Sequence, residues 1–216
     1  MASRKKKFAV LISGRGSNMA ALLKAAQSSE FSAEPILVIS NKADAPGLQT
    51  AKSSGIPTNV VSHRDFENRE NFDAALTSLL LGAEVDFICL AGFMRIFSQS
   101  FVDQWYGKLI NIHPALLPSF PGLDVQQKAI DAGVRFSGCT VHFVDGGMDT
   151  GPIIGQSVVP LLPDDSADSL AARILEQEHR LYPRCLSLLA EGKIWLEEDK
   201  VFYATDFRRD QSLSLP

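Results

Sequence analysis

The sequence has little of what would place it in a membrane. The basic cluster near its start, Arg4-Lys5-Lys6-Lys7, precedes only the short apolar run Phe8-Ala9-Val10-Leu11-Ile12. That run is too brief for a signal-peptide core and far below the roughly 20 residues of a spanning helix, so residues 1–6 read as a solvated leader before a first strand. Cysteine is scarce. Cys89, Cys139 and Cys185 each sit in apolar surroundings, and none stands at a metal-like spacing. A disulfide framework and a zinc site are thereby excluded, and a reduced, cytoplasmic protein is expected. An excess of positive charge is also missing: 21 Lys and Arg face 25 Asp and Glu, for a net charge of −4. A nucleic-acid partner would call for a basic face. There are no internal repeats and no low-complexity segments.

What remains is ordinary globular material, 45% hydrophobic and 21% charged over 216 residues. That is enough chain for one sizeable core, and a single domain over 1–216 is the expectation. Strands and helices alternate along it, which reads as an α/β fold. Lys7 to Ile12 is continuously apolar, as in a strand buried on both faces. Further strands are expected at Ile36–Ile39, Thr58–Ser62, Val85–Ala91 and up to His113. Helices are expected from Met19, over Asp44–Ser54 with Gly55 as cap, over Phe66–Leu81 with Asp65 as cap, over Ser98–Tyr106 and over Asp124–Ala132. Gly138–Val144 and Ile153–Leu161 read as an antiparallel edge pair. The longest helix is expected over Ser166–Glu191, kinked or broken near Pro183. A polar tail follows from about residue 204.

Chemistry concentrates at four places. After the first strand, Ser13-Gly14-Arg15-Gly16-Ser17-Asn18 leads into a helix, and such a loop offers N–H groups to an anion. Met19 stands where a dinucleotide fingerprint has its third glycine, and the next strand ends in Ser40-Asn41 without the ribose-binding acid. No P-loop ending is present either, so the sequence points to a phosphomonoester rather than NAD or ATP. The stretch Leu109-Ile110-Asn111-Ile112-His113-Pro114 ends a strand with Asn111 and His113 on one side of the sheet. An amide donor beside an imidazole suits the stabilisation of an oxyanion, although a satisfied strand-end histidine has the same pattern. Gly92-Phe93-Met94-Arg95-Ile96-Phe97 is an unusually apolar loop, which either walls a pocket for a flat ring or folds back on the core. Glu178 falls in the apolar stripe of the last helix, where it needs an ion-pair partner or a cationic ligand group.

In this order and spacing, the glycine loop, the Gly92-Phe93-Met94-Arg95 loop, Asn111-Ile112-His113-Pro114 with Leu116-Leu117-Pro118, and Asp149 in its glycine-rich loop closely resemble phosphoribosylglycinamide formyltransferase, the folate-dependent family of purine synthesis. The likeness runs from about residue 7 to residue 192. It implies a single doubly wound, mostly parallel Rossmann-like sheet with helices on both faces. It also implies transfer of a formyl group from 10-formyltetrahydrofolate to the amine of 5′-phosphoribosylglycinamide.

By this likeness Gly16, Ser17 and Asn18 take the ribonucleotide phosphate, and Glu178 lies near the glycinamide amine. Arg69, Met94, Arg95, Ile96 and Phe97 meet the folate. Asn111 and protonated His113 hold the oxyanion, with Asn111 also beside the folate. Asp149 raises the affinity of His113 for its proton, while Thr140 and His142 buttress the site. Arg15 stands where many relatives have Asn, a tolerable change because backbone N–H groups bind the phosphate. No metal and no ATP are expected, and the chain is a monomer or homodimer with small-molecule substrates only. The alternative is a 10-formyltetrahydrofolate hydrolase, which would carry an extra regulatory domain for which residues 1–6 leave no room. A methionyl-tRNA formyltransferase would need an RNA-binding domain, and a non-catalytic phosphate-binding module would not need Asn111, His113 and Asp149 together.

Overall fold

The computed structural model describes residues 4–205; the first half of the expected leader and the tail from residue 206 lie outside them. Hydrogen-bonded strands follow the order β3-β2-β1-β4-β5-β6-β7, with a separate pair β8-β9. Here β1 is Lys6–Ile12, β2 Ala33–Ser40, β3 Thr58–Val60, β4 Phe87–Leu90, β5 Leu109–His113, β6 Phe136–Phe143, β7 Ile153–Pro160, β8 Ile194–Glu197 and β9 Lys200–Tyr203. The chain divides into two compact units, Met1–Asn111 and Ile112–Pro216.

In the first unit, β1 pairs in parallel with both β2 and β4, and β2 pairs in parallel with β3. Phe8 to Ile12 are fully buried, which is why this strand reads as a continuous apolar run rather than an alternation. Because β1 lies between β2 and β4, the strand order reverses there, and ligands of open α/β sheets bind where it does. The helices are α1 (Ser17–Ala25), α2 (Pro46–Ser53), α3 (Arg69–Gly82) and α4 (Gln99–Gln104).

Two helix starts differ from expectation. α2 begins at Pro46 rather than Asp44, because proline's fixed φ suits the first helical position. Gly55 follows at φ 75°, the left-handed cap that was expected. α3 begins at Arg69 rather than Phe66, and its cap is Asn68, not Asp65: the Asn68 side chain accepts the Asn71 N–H at 2.8 Å. Residues 63–65 form a separate 3₁₀ turn capped by Ser62.

In the second unit, β6 and β7 are antiparallel, as expected for the edge pair. Their register shifts between Val141 and His142, so that Gly155 and Ile153 pair but Ile154 does not. A bulge of this kind twists a strand and re-aims the side chain beside it, here His142. Helix α5 covers Val125–Asp131 and α6 covers Ala167–Ala190. α6 is not broken at Pro183. The proline leaves one carbonyl without its helical donor, yet Leu181, Tyr182, Cys185 and Leu186 around it are fully buried, and that packing outweighs one lost bond. The β8–β9 pair was not expected at all. Its two-residue turn is Glu198-Asp199, both at positive φ (47° and 56°), the geometry of a tight hairpin turn, and Trp195 stacks on Phe202 across it at 6.0 Å.

Candidate active site

In the first unit the glycine loop leaves β1 at Ser13 and enters α1 at Ser17. Gly16 precedes the helix at φ 70°, and no side chain caps it. The first N–H groups of a helix have no partner within it, so the Ser17-Asn18 turn presents donors and the positive end of the helix dipole. The loop is held from three directions. Ser13, only 6% exposed, donates its hydroxyl to Asn41 at the end of β2 (2.7 Å) and accepts the Met94 N–H beyond β4 (2.9 Å). Gly47 N–H donates to the Gly14 carbonyl at 3.1 Å. A Cβ on Gly47 would come within 2.6 Å of Ile12 Cδ1 and 3.0 Å of the Gly14 carbonyl, so only glycine allows this approach. Ser13 therefore couples the glycine loop to the Met94 loop on either side of the point where the strand order reverses.

The Met94 loop folds back on the core through two of its aromatic residues. Phe93 and Phe97 point inward, stacked on one another at 5.6 Å, and Phe97 stacks on Phe101 of α4 at 4.3 Å. Met94 and Ile96 are 61% and 56% exposed, and Arg95 is exposed as well. The loop is thus nailed to the core by Phe93 and Phe97 and offers an apolar, basic-tipped outer surface between them. Its far end is tied by Asp73, a buried carboxylate in α3 that accepts the Ser98 N–H at 2.6 Å. Burial pushes the Asp73 carboxyl above its usual range. Arg69 is exposed at the first position of α3. Asn111 is half-buried on β5, two residues before His113.

The second unit brings three predicted residues together. His113 is 5% exposed, and its Nδ1 lies 3.3 Å from Asp149 Oδ2. Its Nε2 donates to the Phe120 carbonyl at 2.9 Å. Both ring nitrogens thus face oxygen acceptors, the Asp149 carboxylate on one side and a backbone carbonyl on the other. Asp149 Oδ2 also accepts the Gly122 N–H at 2.9 Å, and Asp149 Oδ1 lies 3.8 Å from His142 Nε2. His142, 2% exposed, donates Nδ1–H to the Phe143 carbonyl at 2.7 Å. Burial lowers its affinity for a second proton, outweighing the nearby Asp149. One carboxylate therefore faces two imidazoles of different character.

Thr140, fully buried on β6, bonds the backbone that follows His113: it donates to the Ala115 carbonyl (2.7 Å) and accepts the Leu117 N–H (3.0 Å). Glu178 is buried on α6, 5% exposed, as its place in the apolar stripe required. Burial pushes the Cys139 thiol up, and the charge of Glu178 adds to the shift. Residues the sequence did not single out are Gly47, Asp73 and Gln156, which bond the backbone of another segment, and Asn41, which accepts from the Ser13 side chain; nothing in their local pattern announces that. Among the described residues no group of three His, Cys, Asp or Glu could hold a metal ion, and no helix is long and apolar enough to cross a membrane.

Residues 6–186 match the family model described as formyl transferase. The chain belongs to the formyl transferase family. Within that family it is 42% identical to the phosphoribosylglycinamide formyltransferase of Haemophilus influenzae, over 91% of this chain and 93% of that protein. It is 55% identical to the trifunctional purine biosynthetic protein adenosine-3 of Drosophila melanogaster, over 89% of this chain. The first relatives matched are such long proteins, and the chain spans only 14% to 20% of their length. The crystal structure of glycinamide ribonucleotide transformylase 1 from Symbiobacterium toebii superposes with a TM-score of 0.90 at 41% identity, covering 93% of this chain and 95% of that one. The doubly wound, mostly parallel fold expected from the sequence is the one these formyl transferases share.

Proposed function

We propose that the chain acts as one catalytic domain that transfers the formyl group of 10-formyltetrahydrofolate to the amine of 5′-phosphoribosylglycinamide. The observation that carries this reading is the contact of the Asp149 carboxylate with His113 Nδ1 at the end of the strand that bears Asn111. Such a pair supplies a cationic donor where charge develops on an attacked carbonyl. The names of the bacterial relatives support the same substrate.

In this mechanism Gly16, Ser17 and Asn18 take the phosphate, and Glu178 holds the acceptor's glycinamide end. Arg69, Arg95 and the exposed faces of Met94 and Ile96 meet the folate, with Phe97 fixing the loop behind them. The neutral amine attacks the formyl carbon, and the C–O double bond opens to an oxyanion. The Asn111 amide and His113 Nε2–H donate to it, the oxyanion taking the bond that Phe120 now accepts. Asp149 balances the imidazolium, with Thr140 and His142 holding the surroundings. As the tetrahedral carbon collapses, the bond to folate N10 breaks and N10 leaves with the proton lost by the amine. The formyl group arrives activated, so no nucleoside triphosphate is consumed.

The test is absorbance-monitored deformylation of 10-formyltetrahydrofolate with and without the ribonucleotide. Turnover that requires the ribonucleotide is expected. Equal turnover in its absence would replace the transferase by a hydrolase.

A further inference from the structure

Gln156 stands directly opposite Thr140 in the β6–β7 ladder, and opposed residues on one face of an antiparallel pair reach each other. Gln156 Nε2 donates to the Leu117 carbonyl at 2.8 Å and to Thr140 Oγ1 at 3.0 Å. Thr140 Oγ1 in turn holds the Ala115 carbonyl and the Leu117 N–H. A hydroxyl has one donor and two acceptor positions, and an amide nitrogen has two donors; all five are used here. Both polar groups of the Leu117 backbone are held by this one pair of side chains.

The segment they hold matters because it has no ladder of its own. β5 ends at His113, Pro114 follows, and residues 114–118 belong to no helix or strand. Leu116 packs so closely on β6 that a Cβ at Gly138 would fall within 2.8 Å of its Cδ2. The backbone setting immediately after His113 is therefore fixed by contacts from β6 and from the edge strand β7, with Gln156 bonded to both Thr140 and the Leu117 carbonyl. Gln156 is half-buried, and its hydrogen bonds go to Leu117 and Thr140 rather than to His113 or Asp149.

We infer that Gln156 is a positioning residue for the transfer: it fixes the Ala115–Leu117 backbone and, through it, the placement of the His113 ring. This rests on the role proposed above for His113. Gln156→Met keeps the side chain's length and removes both donors. Because small misplacements of a reacting group are costly, it should lower kcat by roughly 10- to 100-fold, with the KM values of both substrates at wild-type level. Thr140→Val should do the same and Thr140→Ser should retain activity. The double variant Thr140→Val with Gln156→Met should be no worse than the poorer single one, since both act on the same backbone groups. Amide exchange in the 114–118 peptide should accelerate in Gln156→Met, while the thermal midpoint stays near that of the wild type. Wild-type kcat in Gln156→Met, additive losses in the double variant, or unchanged exchange would overturn the inference. If Gln156→Met does not fold, Gln156→Glu preserves the shape, loses both donors and carries the same expectations. A wild-type protein without transfer activity would sink the functional proposal instead, and the exchange experiment would still decide whether Gln156 holds the loop.

Discussion

Asp149 meets His113 Nδ1 and the Gly122 N–H with a single carboxylate oxygen, at 3.3 and 2.9 Å. The residue itself lies at φ 57°, a left-handed conformation that aspartate tolerates better than most residues. The carboxylate that orients the ring is thus also the one that holds the turn after Phe120. Asp149→Asn can still accept from Gly122 but loses the charge that the proposed mechanism sets against His113. Steady-state kinetics should show kcat lower by roughly 10² to 10⁴-fold, with ribonucleotide affinity kept.

Gly47→Ala tests the support under the glycine loop. The added Cβ meets Ile12, the Gly14 carbonyl and the Arg15 carbonyl at 2.6, 3.0 and 3.1 Å, and two of the three are backbone that cannot rotate away. Overpacking of this kind costs about 1 to 3 kcal/mol. The melting temperature should fall, and KM for the ribonucleotide should rise more than KM for the folate.

The buried His142 gives stability a pH dependence of defined sign. Its folded affinity for a proton is lowered, chiefly by burial. Above about pH 6.5 the residue is neutral in folded and unfolded chains alike, and no stability depends on it. Below that value the unfolded chain takes up a proton that the folded one refuses, so stability is lost as pH falls, by at most about 1.4 kcal/mol per pH unit for this one group. His63 and His179 are lowered too, again mainly by burial, and act in the same direction. Urea midpoints measured from pH 8 down to pH 5 should decline, and His142→Gln should decline less steeply.

The cap of α3 is a direct contest between two residues. Asn68→Ala removes the acceptor of the Asn71 N–H and should cost about 1 kcal/mol. Asp65→Ala leaves that cap intact and should cost little by comparison. Chemical denaturation of the two variants decides it.

These examples also show where a sequence stops being informative. β5 ends at His113 as its pattern required, since Pro114 cannot extend a ladder, and the antiparallel pair was legible from its alternation. His113 and Asp149 meet as the family likeness implied. The cap of α3 was misplaced because Asp65 and Asn68 have nearly equal capping chemistry, and only the chain path before Arg69 separates them. Pro183 suggested a break because its local cost is visible in the sequence while the burial that offsets it is not. The β8–β9 hairpin was hidden by a Glu-Asp turn where Asn-Gly is the usual signal. Gly47 and Gln156 act on segments far from their own positions, so their roles exist only once the strands are paired.

Cys89, Cys139 and Cys185 are all completely enclosed, and burial pushes the thiols of Cys139 and Cys185 well above the ordinary range. The thiolate is the reactive form, so the native protein is chemically blank toward maleimides. A single cysteine introduced at an exposed position such as Met94 would therefore be its one addressable handle. A fluorophore placed there would test whether the Met94 loop meets the folate as proposed, in a protein that needs no prior removal of its own cysteines.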